Sequence, residues 1–132
     1  MKKVVLDTSI IIDFLRTKQG LFSELALLEK TGSTLLYLPT VAVLELWKGN
    51  SMDIHDVESS VERILQVTRD IPLSKQLAKK AGELIRKDTV SDFVDSVMAA
   101  STLYLEAELA TLNQKHFAKV KGLKIFKLQK TS

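Results

Sequence analysis

The chain has 132 residues, a hydrophobic share of 45%, a net charge of +3 and a pI near 9.1. That length sets the expectation of one domain over residues 1–132 with a buried core, and the composition excludes a disordered chain. The absence of cysteine excludes disulfides and thiolate zinc sites and fits a reducing compartment.

Met1-Lys2-Lys3 is followed only by Val4, Val5 and Leu6 before Asp7, so no signal-peptide apolar region forms. No apolar run approaches the roughly 18 residues of a membrane span, and a cytoplasmic location without membrane contact is expected. Lys3 to Leu6 predicts a buried strand ending at Asp7. Thr8 or Ser9 is suited to cap a following helix that carries Ile11, Ile12, Phe14 and Leu15. Phe22 to Glu29 predicts a second amphipathic helix closed by Gly32. Phe14 and Phe22 are readable either as a dimer face or as ordinary core.

Thr34 to Leu38 predicts a second strand, and Pro39 the first turn of a helix continuing from Val41 to Trp47, until Gly49. Asn50 to Asp56 reads as loop, Val57 to Val67 as a helix, and Asp70 to Leu73 as a short strand. Ser74 should cap a helix reaching Arg86. After a break over Asp88 to Ser91, with Ser91 as the expected cap, a helix spans Asp92 to Glu106. Glu108 to Leu112 is a strand, Asn113 to Phe117 a tight or helical turn, and Leu123 to Leu128 a last strand. Beyond Leu109 there is no acidic residue, while Lys115, Lys119, Lys121, Lys124, Lys127 and Lys130 all fall there. This run is either a solvated tail or a surface that meets phosphates.

Strands alternating with helices predict an α/β fold, a parallel sheet covered on both faces. Ligands of such sheets bind beyond the carboxyl ends of the strands, where strand order reverses. Three acids attract attention on that frame. Asp7 ends an apolar strand, where a carboxylate needs a partner; it either caps the next helix or belongs to a site. Glu45 interrupts an otherwise apolar helix and faces either water or a polar pocket. Asp95 lies near the start of its helix with Asp92 three positions earlier, and both also suit the positive end of the helix dipole. If Asp7, Glu45 and Asp95 converge, their repulsion raises pKa values or demands a cation. In a chain with no cysteine and only His55 and His116, the fitting cation is hard and oxygen-preferring, Mg²⁺ or Mn²⁺. Such an ion among lysines suits phosphodiester hydrolysis.

The stretches Val5-Leu6-Asp7-Thr8-Ser9, Leu38-Pro39-Thr40-Val41-Ala42-Val43-Leu44-Glu45, Asp95-Ser96-Val97-Met98-Ala99-Ala100 and Ala110-Thr111-Leu112-Asn113-Gln114-Lys115-His116-Phe117 stand in that order along the chain. Together they resemble the PIN-domain family, and within it the VapC-type toxins of toxin–antitoxin pairs. The resemblance implies a three-layer α/β/α sandwich with a central, mostly parallel sheet of about five strands. It also implies a Mg²⁺- or Mn²⁺-dependent endoribonuclease with Asp7, Glu45 and Asp95 as metal ligands and Asn113 in the fourth position. Thr8 or Ser9 would hydrogen-bond the site, and Asp92 would be an auxiliary ligand. His116 departs from the pattern, since many relatives place an acid there, and an imidazole in that place would weaken a second metal position. The same resemblance implies an RNA substrate, a small antitoxin partner and frequent homodimers. Two other readings stay open: a PIN module that binds RNA or protein without cleavage, and a phospho-acceptor domain built on Asp7.

Overall fold

Val4, Val5 and Leu6 are wholly buried because the strand that carries them lies in the middle of a sheet. The computed structural model describes residues 1–128. Its strands are β1 (Lys2–Leu6), β2 (Thr34–Pro39), β3 (Arg69–Ile71), β4 (Glu108–Ala110) and β5 (Lys124–Ile125). Its α-helices are α1 (Thr8–Thr17), α2 (Leu21–Lys30), α3 (Thr40–Trp47), α4 (His55–Gln66), α5 (Lys75–Arg86) and α6 (Phe93–Leu105). Short 3-10 turns occupy Asn50–Asp53 and Gln114–Phe117.

The strand order is β3-β2-β1-β4-β5, and every pairing is parallel. Val4 sits opposite Leu36 on one side and Glu108 on the other. The first three strands step outward in one direction, and β4 then returns to the other side of β1. Right-handed crossovers therefore put α1 to α4 on one face and α5 and α6 on the other. The result is the expected α/β/α sandwich. Helix α6 lies directly against β1, β2 and β4, and α5 stacks on α6. Close approach is possible because α6 presents Ser96, Ala99, Ala100, Ser101 and Thr102, all buried. No helix among the described residues is long and apolar enough to cross a membrane.

Several local expectations are corrected. Neither Thr8 nor Ser9 caps α1; the capping position falls on Asp7, whose side chain makes no cap bond. Asp92, not Ser91, caps α6, its carboxylate accepting the Asp95 N–H at 3.0 Å. The segment Asn50 to Asp56 holds a 3-10 turn and the start of α4 rather than plain loop. Strand β4 stops at Ala110 because the next backbone amides turn to side chains. Leu112 N–H donates to Ser9 Oγ at 3.0 Å and Asn113 N–H to Thr111 Oγ1 at 2.9 Å. Phe22 is core and Phe14 is half-buried beside it, with ring centroids 5.0 Å apart.

Candidate active site

Strand order reverses between β1 and β4, so the connections leaving the carboxyl ends of these two neighbours run to opposite faces of the sheet and leave a cleft between them. Asp7 sits at that point, its N–H held by Ala110 O at 2.9 Å and its side chain only 3% exposed. A carboxylate so placed needs donors. Ser9 Oγ donates to Oδ2 at 2.8 Å and Thr111 Oγ1 donates to the same oxygen at 2.7 Å. Both hydroxyls in turn accept the amide bonds that end β4, so one network ties strand, helix and carboxylate together. The second oxygen, Oδ1, takes no hydrogen bond among the described residues. The helix-capping explanation of Asp7 is excluded by this geometry.

Asp95 stands in the first turn of α6, half-buried. Burial raises its pKa above the ordinary carboxylate value, and the charges of Asp7 and Asp92 raise it further, while His116 opposes them. His116 Nδ1 lies 3.0 Å from Asp95 Oδ2. An ionised carboxylate only accepts, so the imidazole N–H is the donor. Glu45, in the second turn of α3, is half-buried and lines the same cleft. Asn113 and His116 are exposed along it. Thr8 lines it too, but its hydroxyl is buried and has no partner among the described residues.

The cleft measures about 680 Å³ and gathers every residue named from the sequence: Asp7, Thr8, Ser9, Glu45, Asp92, Asp95, Asn113 and His116. It also takes in Asp13, Arg16 and Lys48, which sequence reasoning passed over. Their signal was helical spacing. Asp13 and Arg16 stand four and seven positions beyond Ser9 on α1, and Lys48 stands three beyond Glu45 at the end of α3. Thr111 was also missed as a site residue, although its hydroxyl holds Asp7. The carboxyl-terminal lysines Lys115, Lys119, Lys121, Lys124 and Lys127 are exposed, yet none lines the cleft; Lys130 lies outside the described residues.

The donors are carboxylate oxygens, which suit a hard divalent ion. Among the described residues no three His, Asp or Glu side chains are grouped so as to hold a metal by themselves. An ion of the Mg²⁺ type tolerates that, since one or two carboxylates, water and a substrate phosphate commonly complete its shell. Asp7 and Asp95, the second of which feels the charge of the first, are the pair that fits such an ion.

A search of curated proteins yields no match. Solved structures of the same fold are plentiful. The VapBC2 complex of Rickettsia felis, bound to a promoter DNA fragment, contains a chain that superposes with a TM-score of 0.77 at 19% identity, covering 96% of this chain and 99% of that one. DNA-bound VapBC from Salmonella typhimurium gives 0.77 at 22% identity, with 96% and 98% coverage. A toxin–antitoxin complex from Klebsiella pneumoniae gives 0.70 at 20% identity, with 91% and 94% coverage. At these identities the likeness is one of fold. The sequence itself matches the PIN domain over residues 4–123, and the chain therefore belongs to the PIN-domain family.

Proposed function

We propose that this PIN domain is a Mg²⁺- or Mn²⁺-dependent endoribonuclease that hydrolyses RNA phosphodiester bonds as the toxin of a toxin–antitoxin pair. The observation that carries the reading is the meeting of Asp7, Glu45 and Asp95, from three separate segments, on one cleft at the sheet's switch point. Mutual repulsion at Asp95 is what a cation would relieve. When bound, the ion would polarise the phosphate and acidify a water. Asp7 and Asp95 would hold it, Glu45 would hold it or its water, and Asn113 would orient the nucleophile's side of the cleft. Ser9 and Thr111 keep Asp7 from turning away. Arg16 and Lys48 supply the positive charge that meets the RNA backbone.

The test is cleavage of an RNA pool with Mg²⁺ or Mn²⁺, with EDTA, and with Asp7→Asn. Cleavage should need the metal and vanish in the variant, whose fold should be intact or firmer because repulsion is relieved. Activity persisting in EDTA would sink the mechanism.

A second reading, a PIN module that binds RNA or protein without cutting, draws support from the absence of any three-acid metal group among the described residues. It is distinguished by RNA binding without metal-dependent cleavage. An antitoxin partner is supported by the complexes in which chains of this fold occur. It is also supported by a groove of about 460 Å³ between α1, α2 and α4, lined by Phe14, Phe22, Ala26 and Ile64 with Lys18 and Arg63 beside them. Co-purification with the product of an adjacent short reading frame tests it, and sedimentation of the lone chain tests the homodimer.

A further inference from the structure

The two acids that face each other across the switch point share a feature that their positions alone do not require. Each has one oxygen already committed. Asp7 Oδ2 is engaged by Ser9 and Thr111, and Asp95 Oδ2 by the His116 ring. Each therefore has, among the described residues, one oxygen that takes no side-chain hydrogen bond and is the readier to offer. The His116 side chain that makes the contact at Asp95 is 56% exposed, but the backbone carrying it is held in place. His116 lies in the 3-10 turn Gln114–Phe117, whose Phe117 is only 2% exposed and anchors the turn in the core. The His116 N–H is also tied to Asn113 O at 3.0 Å, which fixes the point from which the ring reaches α6.

A carboxylate oxygen that accepts a hydrogen bond has one lone pair fewer for a metal, which biases the group to ligate through its other oxygen. Ca²⁺ takes six to eight oxygens and gains from carboxylates that grip with both, whereas Mg²⁺ is satisfied by a few single oxygens and retained water in octahedral array. We propose that His116 is a positioning residue which, by holding Asp95 Oδ2, biases Asp95 toward one-oxygen ligation and tunes the site to a single small octahedral ion, Mg²⁺ or Mn²⁺, against Ca²⁺. The proposal rests on the metal-dependent reading above. It assigns the imidazole to the acid and not to the ion.

The experiment measures Mn²⁺ and Ca²⁺ binding by calorimetry on the intact protein, His116→Ala and His116→Asn, with pulsed electron paramagnetic resonance on the Mn²⁺ forms. Circular dichroism melts confirm that each variant is folded. Loss of an outer hydrogen bond to a metal ligand commonly weakens affinity about 10- to 100-fold, and His116→Ala should lose Mn²⁺ affinity within that range. Ca²⁺ affinity should change much less, so selectivity narrows. His116→Asn sets an amide N–H near the place of Nδ1 and should recover most of both. A merely structural role would not separate the two ions or be rescued by the amide. Equal Mn²⁺ affinity in the intact protein and His116→Ala overturns the proposal. So does equal loss in both variants, or a nitrogen coupling of the size that a directly bound imidazole produces. If the intact protein binds neither ion, it is the metal-dependent reading itself that fails.

Discussion

Replacing Thr111 by valine keeps the shape of a buried side chain and deletes one hydroxyl, so its effect isolates what that hydroxyl does for Asp7. In the native chain Thr111 Oγ1 donates to Asp7 Oδ2 at 2.7 Å and accepts the Asn113 N–H at 2.9 Å. Hydrogen bonds to charged groups contribute about 1.5–3 kcal/mol, and neutral ones about 0.5–1.5. Asn113 is exposed, so water replaces its lost acceptor at little cost. Thr111→Val should therefore destabilise the metal-free protein by about 2–3 kcal/mol, a large share of a total stability of about 5–15. In an Asp7→Asn background the acceptor is neutral, and the same change should cost only about 1 kcal/mol. The double-mutant cycle thus predicts a coupling of about 1–2 kcal/mol between the charge at position 7 and the hydroxyl at position 111. Urea unfolding of the four proteins, at matched m-values, measures it. A cost below about 0.5 kcal/mol, or the same cost in both backgrounds, would refute the claim that the hydroxyl works by holding the carboxylate.

Asp95, with its raised pKa, binds a proton more tightly in the folded protein than in the unfolded chain. In EDTA, stability from that proton should be full below the ordinary carboxylate range and be lost as pH rises through the raised pKa. Asp95→Asn should flatten that fall and raise the urea midpoint near neutrality; an unchanged pH profile would count against the burial and charge crowding at Asp95. Arg16→Ala and Lys48→Ala, made in the cleavage-dead Asp7→Asn protein, should each reduce the salt dependence of single-stranded RNA binding by about 0.7 in log–log slope. Lys121→Ala, away from the cleft, should leave that slope unaltered, and filter binding across a salt series distinguishes the two cases.

Much of this could be read from the chain before any coordinates. The apolar run Val4 to Leu6 has no reason to exist except in the centre of a sheet, and it lies there. Ser74 caps α5 as its position suggests, accepting the Leu77 N–H at 3.2 Å. At the start of α6 two neighbours, Ser91 and Asp92, are both capable caps, and residue type alone does not choose between them; the structure puts the cap on Asp92. Asp7, Glu45 and Asp95 stand out because charge in apolar surroundings demands an explanation. Thr111 does not, since a threonine ending a strand is unremarked until its hydroxyl is seen against a carboxylate 104 positions away. Arg16 and Lys48 were hidden for another reason: the dense lysine run near the end of the chain is the louder signal, and linear density says nothing about which face the sheet turns toward a cleft.

That separation of 104 positions also bears on how the protein comes into being. A ribosome making this chain releases Asp7 first, and α1, α2 and β2 follow with their acid in place but unheld. The helix that supplies Asp95 and the strand end that supplies Thr111 follow only 88 and 104 positions after Asp7. Non-local pairing of this kind is slow to form and leaves the nascent chain without a finished cleft. Under the function proposed above, the cleft could not act on RNA until those two later segments have been made and have packed against β1.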